Sequence, residues 1–359
     1  MRYRISTILL SCLAMTVTLA SISQADDGGG SIVAGGALQP TKSHPSVRMV
    51  SEVVDAKLGG SNGDISNVYV RCQFIFKNDG PAQDVVMAFP EKASSYGDPS
   101  PNDRLRGFTS WVDDKPVKIT YRPSAKSDES EDKKEYNAWY VKTVHFDAGQ
   151  TRKVVDMYAS DLGAAGTSDG WTTSEFTYVL RTGASWKGRI GKATINMDTS
   201  AGAGFYDIKA SPKGCKVKGD KYTWVMTNFE PKQDISLVFS VKMPLVNGKR
   251  AVSPGYWNDY AVVHGVLLAP VGCLSSAGAK VEYHGDDCTI TFRQHNLRIR
   301  NASRNAVIDG KRVLISRAPR GGENCYGMTA PIGDVARLLG GELVFGANHT
   351  PNVILKAGH

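Results

Sequence analysis

Between residues 68 and 76 the chain alternates, with Val68, Val70, Cys72, Phe74 and Phe76 on one side and Tyr69, Arg71, Gln73 and Ile75 on the other. Period-two alternation in a run rich in β-branched and aromatic residues predicts a strand with one buried face. Asn78-Asp-Gly-Pro81 predicts a turn, and residues 84–90 a partner strand for 68–76. Further strands are expected at 108–112, 116–121, 138–146 and 151–158, with Asp113-Asp-Lys115 as a turn. Residues 176–197 read as two strands around a tight Gly-containing connection, and 222–227 with 234–241 as another hairpin. The turn of that hairpin echoes the first: Asn78-Asp-Gly-Pro-Ala-Gln-Asp-Val-Val-Met-Ala-Phe89 against Asn228-Phe-Glu-Pro-Lys-Gln-Asp-Ile-Ser-Leu-Val-Phe239. The echo fits two related β-sandwich units, and it also fits independent use of the same turn residues.

Near the end the period changes. Ile332, Val335, Ala336 and Leu339 recur at i, i+3, i+4 and i+7, which places them on one face of a short helix. Pro331 suits its first turn, and Gly340-Gly341 can take the left-handed conformation that stops it. Asp309-Gly310 between Val307-Ile308 and 313–315 is a hairpin signal, and 342–345 and 352–356 read as strands. The fold class is therefore mainly β: N-terminal β-sandwich-like units followed by a small α+β domain with one short helix on a sheet.

Composition punctuates the chain. Residues 26–45 have the Gly- and Pro-rich make-up of a flexible linker, and 124–135, a run of Ser, Asp, Glu and Lys, of a solvated loop or disordered insertion. Residues 161–170 are rich in Gly and Ser and divide the β-rich region. The expected organisation is a signal peptide at 1–25, the linker at 26–45, a first sandwich-like unit at 46–160 and a second β-rich unit at 161–245. A connector at 246–279 and the α+β domain at 280–358 complete it. Within the connector, 261–268 reads as a strand or a short helix docking between the halves.

Two resemblances follow. The order of Asp309-Gly310, an apolar strand, Ala318-Pro319, a polar turn, Tyr326, the Pro331 helix, Leu339-Gly-Gly341 and a strand ending at Phe345 resembles the copper amine oxidase N-terminal-like domain. Ala330-Pro331 and Gly333 depart from its usual pattern. The resemblance implies a non-catalytic stalk. Residues 46–245 resemble a bacterial exported domain of unknown function, on the strength of Tyr178-Val-Leu-Arg-Thr-Gly-Ala-Ser-Trp-Lys-Gly-Arg-Ile190 and the Asn-x-x-Pro-x-x-Asp-Ile segment.

Arg2 and Arg4, the apolar stretch 8–19 and Ser23-Gln-Ala25 have the pattern of a secretory signal cleaved after Ala25; lipidation at Cys12 is the weaker alternative. No later stretch approaches the apolar length of a membrane span. Cleavage would remove two arginines and no acid, taking the net charge from +8 to +6. A mildly basic exported chain is suited to anionic wall polymers or lipid headgroups, or simply to solubility. Its basic residues are scattered among acids, so nucleic acid is not an expected partner.

Little in the chain points to catalysis. Cys72, Cys215, Cys273, Cys288 and Cys325 remain after cleavage, with Cys273–Cys288 or Cys288–Cys325 as candidate disulfides. The histidines (His44, His145, His264, His284, His295, His349 and His359) lack ligand spacing, and His284, Asp286 and Asp287 read as a polar turn. The amine oxidase context is absent: Asn258-Asp259-Tyr260 has the wrong order and no His-x-His occurs. There is no phosphate-binding Gly loop. Trp111, Trp139, Trp171, Trp186, Trp224 and Trp257 lie in or beside predicted strands, where core packing is the default. The expectation is a non-enzymatic exported envelope protein with a structural, adhesion or scaffolding role, no cofactor and no metal. Its partner would be a cell-wall polymer or another envelope protein. The alternative is a glycan- or peptide-binding module using Trp186, Tyr256 and Trp257 at a domain junction, and a third reading is an unrecognised hydrolase.

Overall fold

The computed structural model describes residues 23–25, 28–32, 38–40, 44–61, 63–92, 105–123, 136–166, 172–251, 260–322, 327–346 and 350–355. The alternating stretch at 68–76 lies inside a long strand, Asp64–Asn78, which forms an antiparallel hairpin with Val47–Ser61. On one side of this hairpin Thr151–Asp161, Arg106–Val112 and Lys115–Pro116 extend the sheet. On the other side Ile190–Asp198 runs parallel to Val47–Ser61 and carries Lys221–Phe229 and Lys216–Lys218. A second sheet stacks on this one, in the order Tyr206–Ser211, Ile235–Val241, Thr172–Val179, Ser23–Ala25, Gln83–Lys92, Tyr136–Phe146 and Thr120–Pro123. The alternating side chains Val54, Val70, Phe74, Phe76, Val154, Phe89, Phe146, Phe176, Ile195 and Leu237 fill the space between the sheets.

Three expected hairpins are sheet-to-sheet corners instead. Asp64–Asn78 lies in the hairpin sheet and Gln83–Lys92 in the stacked one, and the same holds for Lys221–Phe229 and Ile235–Val241. Thr172–Val179 and Ile190–Asp198 are likewise split between sheets, joined through a 3-10 turn at Arg181–Ser185. The echoing segments thus occupy two equivalent corners, each leaving the hairpin sheet for the stacked one. Buried Asn78 holds the first: its Nδ2 donates to the carbonyls of Pro81 (2.7 Å) and Asp147 (3.1 Å), and its Oδ1 accepts from Gly80 N (3.0 Å). The Asp234 carboxylate holds the second, accepting from Leu180 N at 3.1 Å and from Arg181 Nη2 at 3.0 Å. Side chains from 46–160 and 161–245 share one core, so the boundary drawn between them passes through a single sandwich.

The linker reading of 26–45 also changes. Gly28–Ile32 pairs with Leu38–Pro40 and with Gln83–Lys92, while Ser23–Ala25 lies between Thr172–Val179 and Gln83–Lys92. Backbone pairing needs no particular side chain, so composition alone does not reveal it.

The C-terminal body begins earlier than residue 280. Leu245–Val246 runs parallel to Pro351–Ile354, and Val266–Pro270 pairs with Gly327–Pro331. Residue range 261–268 is therefore a tight hairpin, Ala261–Val263 pairing with Val266–Pro270 across a turn at His264-Gly265, and it is built into this body together with a 3-10 turn at Val271–Ala277 whose first four residues are buried. A meander follows: Lys280–His284, Asp287–Phe292, His295–Arg300, Asn305–Ile308 and Lys311–Leu314. Asp309 (φ 50°) and Gly310 (φ 79°) form its last turn with the left-handed pair that matches strand twist. The helix is Ile332–Leu338, with Gly340 at φ 77° beyond it. Ile332, Val335, Ala336 and Leu339 are buried against Leu297, Ile299 and Val353. Burying each of the larger ones stabilises by about 1.5–3 kcal/mol.

The bodies meet through Phe205 and Phe345, edge to face at 5.4 Å, and through Asp64, which accepts from His264 N at 3.1 Å.

Candidate functional site

The long hairpin and its neighbours make the outer face of their sheet wide and regular. Register places its outward residues in rows. One row runs Lys221, Asp198, Lys57, Tyr69, Ala159, Arg106; the next runs Thr223, Asn196, Asp55, Arg71, Met157, Thr109. Cross-strand neighbours about 5 Å apart on one face interact directly. Asn196 Nδ2 donates to Asp55 at 3.0 Å and Thr223 Oγ1 donates to Asn196 at 3.1 Å. Hydrogen bonding from Ser200 holds the Asp198 carboxyl below its ordinary range, and Lys221 and Lys57 add to the effect.

Two shallow depressions on this face share Asp55 and Lys57. One, about 420 Å³, lies along Asn196, Asp198, Lys221 and Thr223. The other, about 440 Å³, is walled by Tyr69, Arg71, Arg106 and Met157. Tyr69 is 56% exposed and Met157 41%, large apolar groups standing in water on a rigid surface. Lys57, Arg71, Arg106 and Lys221 outnumber Asp55 and Asp198, and Arg106 also pairs with Asp161 at 2.7 Å. An aromatic face and an apolar thioether inside a cationic rim can stack on a sugar ring and attract an anionic substituent.

Beneath this face the sandwich encloses ionisable groups. Lys142 Nζ donates to both Asp156 oxygens, at 2.9 and 2.7 Å, with both side chains fully buried. Tyr178 Oη donates to Glu52 Oε1 at 2.6 Å, while Glu52 Oε2 has no hydrogen-bond partner among the described residues. Burial pushes the Glu52 carboxyl up to about 7, against the opposing Tyr178 bond. Burial raises the Tyr158 phenol, with Cys72 and Asp156 beside it adding to the shift. Period-two patterning hid these groups, because Glu52, Asp156 and Lys142 sit on the inward side of strands where alternation predicts apolar residues.

The expected site residues disperse. Trp186 is 1% exposed and packs on Phe76 at 4.5 Å, so it serves the core and contacts no ligand. Trp139 and Trp224 are also buried, and Trp224 Nε1 donates to Pro212 O at 2.9 Å. Tyr256, Trp257 and Trp171 lie outside the described residues. Cys273 and Cys288 are free thiols, so that disulfide is not formed; Cys325 lies outside the described residues. Burial pushes both free thiols up to about 12. His284 and Asp287 face each other across a hairpin turn, as the polar-turn reading expects. Among the described residues no group of three or more His, Cys, Asp or Glu side chains is placed to hold a metal ion, and no helix is long and apolar enough to cross a membrane.

The fold defines a mainly β protein: a sandwich followed by an α+β body. Residues 164–238 match the profile of a family described as a domain of unknown function (DUF4424), which coincides with part of the N-terminal resemblance. No curated protein matches the chain. Among solved structures, a Legionella pneumophila protein provisionally named as nutrient binding is 21% identical, with a TM-score of 0.47, over 62% of this chain and 71% of that one. An M1 zinc metallopeptidase of Deinococcus radiodurans is 8% identical, with a TM-score of 0.25, over 56% of this chain and 44% of its own. Neither likeness is close enough to carry an argument about function. The copper amine oxidase N-terminal-like resemblance of 280–358 finds no support in these comparisons.

Proposed function

We propose that this is a non-enzymatic, exported cell-envelope protein whose outer sandwich face binds an extended anionic glycan. The observation that carries the reading is the exposed Tyr69 ring beside Met157, rimmed by Lys57, Arg71 and Arg106 on long paired strands. Strand pairing holds these side chains in place, so little ordering entropy opposes binding. The depressions are open and run across adjacent strands, a shape for a chain lying along the surface. The ionisable groups of the core are enclosed between the sheets, which supports binding over catalysis. Polygalacturonate provides the test, titrated calorimetrically with neutral dextran as the control. Binding should saturate, weaken at least tenfold in Tyr69→Ala and in Arg71→Ala, and be unchanged in Tyr121→Ala on the other sheet. Equal affinity in Tyr69→Ala, or equal binding of dextran, would overturn the assignment of this face.

A further inference from the structure

We infer that the C-terminal body carries a second, separate site for phosphoryl groups on the outer face of its meander. The sequence from 286 to 320 holds eight Lys and Arg against three Asp, and pairing gathers part of that excess. Arg298 and Arg300 project from the same side of His295–Arg300. Arg298 is opposite Val307, and Val307 opposite Arg312, so the two arginines flank one small apolar residue in a single row. Pairing geometry puts the Cα atoms of Arg298 and Arg312 about 10 Å apart and those of Arg298 and Arg300 about 7 Å apart. Extended guanidinium groups bridge such gaps. The three surround a depression of about 400 Å³ floored by Val307, Ser303 and Asn305.

The electrostatics of this depression are unfinished. Asp287 is the one carboxylate in its wall, and it is engaged by Arg298 Nη2 at 2.7 Å. Among the described residues no hydrogen bond or ion pair holds the guanidinium of Arg300 or Arg312. Ser303 Oγ accepts from Asn305 N at 3.2 Å, which leaves its hydroxyl hydrogen free to donate. Two forks without a hydrogen bond (that of Arg300 lying opposite Asp287 in the strand register), a third bonded to Asp287 and a neutral donor at the floor suit the several oxygens of a phosphoryl group. Arginine forks bind phosphate through paired, charge-assisted hydrogen bonds. The site does not depend on the glycan face, which lies on the other body.

The probes are tripolyphosphate in solution and vesicles containing phosphatidylglycerol, with sulfate as the charge control, all at low salt. Wild type should bind tripolyphosphate, or the vesicles if the group is a lipid headgroup, and sulfate at least tenfold more weakly. Arg300→Ala with Arg312→Ala should weaken binding at least tenfold, while Arg320→Ala outside the depression leaves it unchanged. Asp287→Asn should tighten binding about threefold or more, because it removes the competing carboxylate and releases Arg298. A general loss of folding cannot mimic that gain. No binding to either phosphate probe, sulfate bound equally well, or unchanged affinity in the double variant or in Asp287→Asn would each overturn the inference.

Discussion

Glu52 should make the sandwich less stable as pH rises, contrary to the usual behaviour of a carboxylate in a folded protein. Its carboxyl is lifted from the ordinary 4.5 to about 7, chiefly by burial. Below 4.5 the folded and unfolded chains both hold the proton, so Glu52 contributes no pH dependence. Between 4.5 and 7 the folded chain keeps a proton that the unfolded chain has released, and stability falls by about 1.4 kcal/mol per pH unit. Above 7 both forms are ionised and the loss levels off at about 3 kcal/mol. Glu52→Gln preserves the Tyr178 bond through its own Oε1 and, like a protonated carboxyl, places an uncharged donor group at the second position. It should therefore resemble protonated wild type at every pH. Urea unfolding followed by the fluorescence of buried Trp186 and Trp224, from pH 4.5 to 8, measures both proteins. The informative quantity is their difference, because half-buried His44, whose pKa burial lowers, tilts both curves in the opposite direction and cancels. The difference should grow from near zero at pH 4.5 to about 3 kcal/mol in favour of the variant at pH 8. Parallel curves would show that Glu52 is hydrated or partnered in the folded protein, and the reasoning would fail.

Two further outcomes follow from the core. Lys142→Met removes the ammonium from the buried Asp156 carboxylate and should destabilise by about 3–5 kcal/mol, with most of the loss recovered when Asp156→Leu is added; a loss under about 1 kcal/mol in the single variant would contradict the pair's burial. Of Cys72, Cys215, Cys273 and Cys288, only half-exposed Cys215 should react with a thiol reagent in the native protein. Rapid modification of Cys72, Cys273 or Cys288 without denaturant would show that these positions are open to solvent.

Local chemistry was legible wherever it acts over a few residues. The left-handed pair Asp309-Gly310, the helix with Ile332, Val335, Ala336 and Leu339 inward, and the alternation of 68–76 all follow from backbone preference and period. These determined a mainly β chain ending in a small α+β body. Tertiary structure decided which strands pair. Asn78 and Asn228 mark turns in sequence, but whether a turn closes a hairpin or crosses to another sheet depends on partners such as Asp147 and Arg181, far along the chain. It also decided that Trp186 is core, that Glu52 and Asp156 face inward, and that Tyr69 and Arg71, already on one side by period, meet Met157 of a neighbouring strand. Arg298 and Arg312 share a row for the same reason. Sequence period says which side of a strand a residue takes; only long-range pairing and the stacking of sheets say whether that side meets water, another side chain or a ligand.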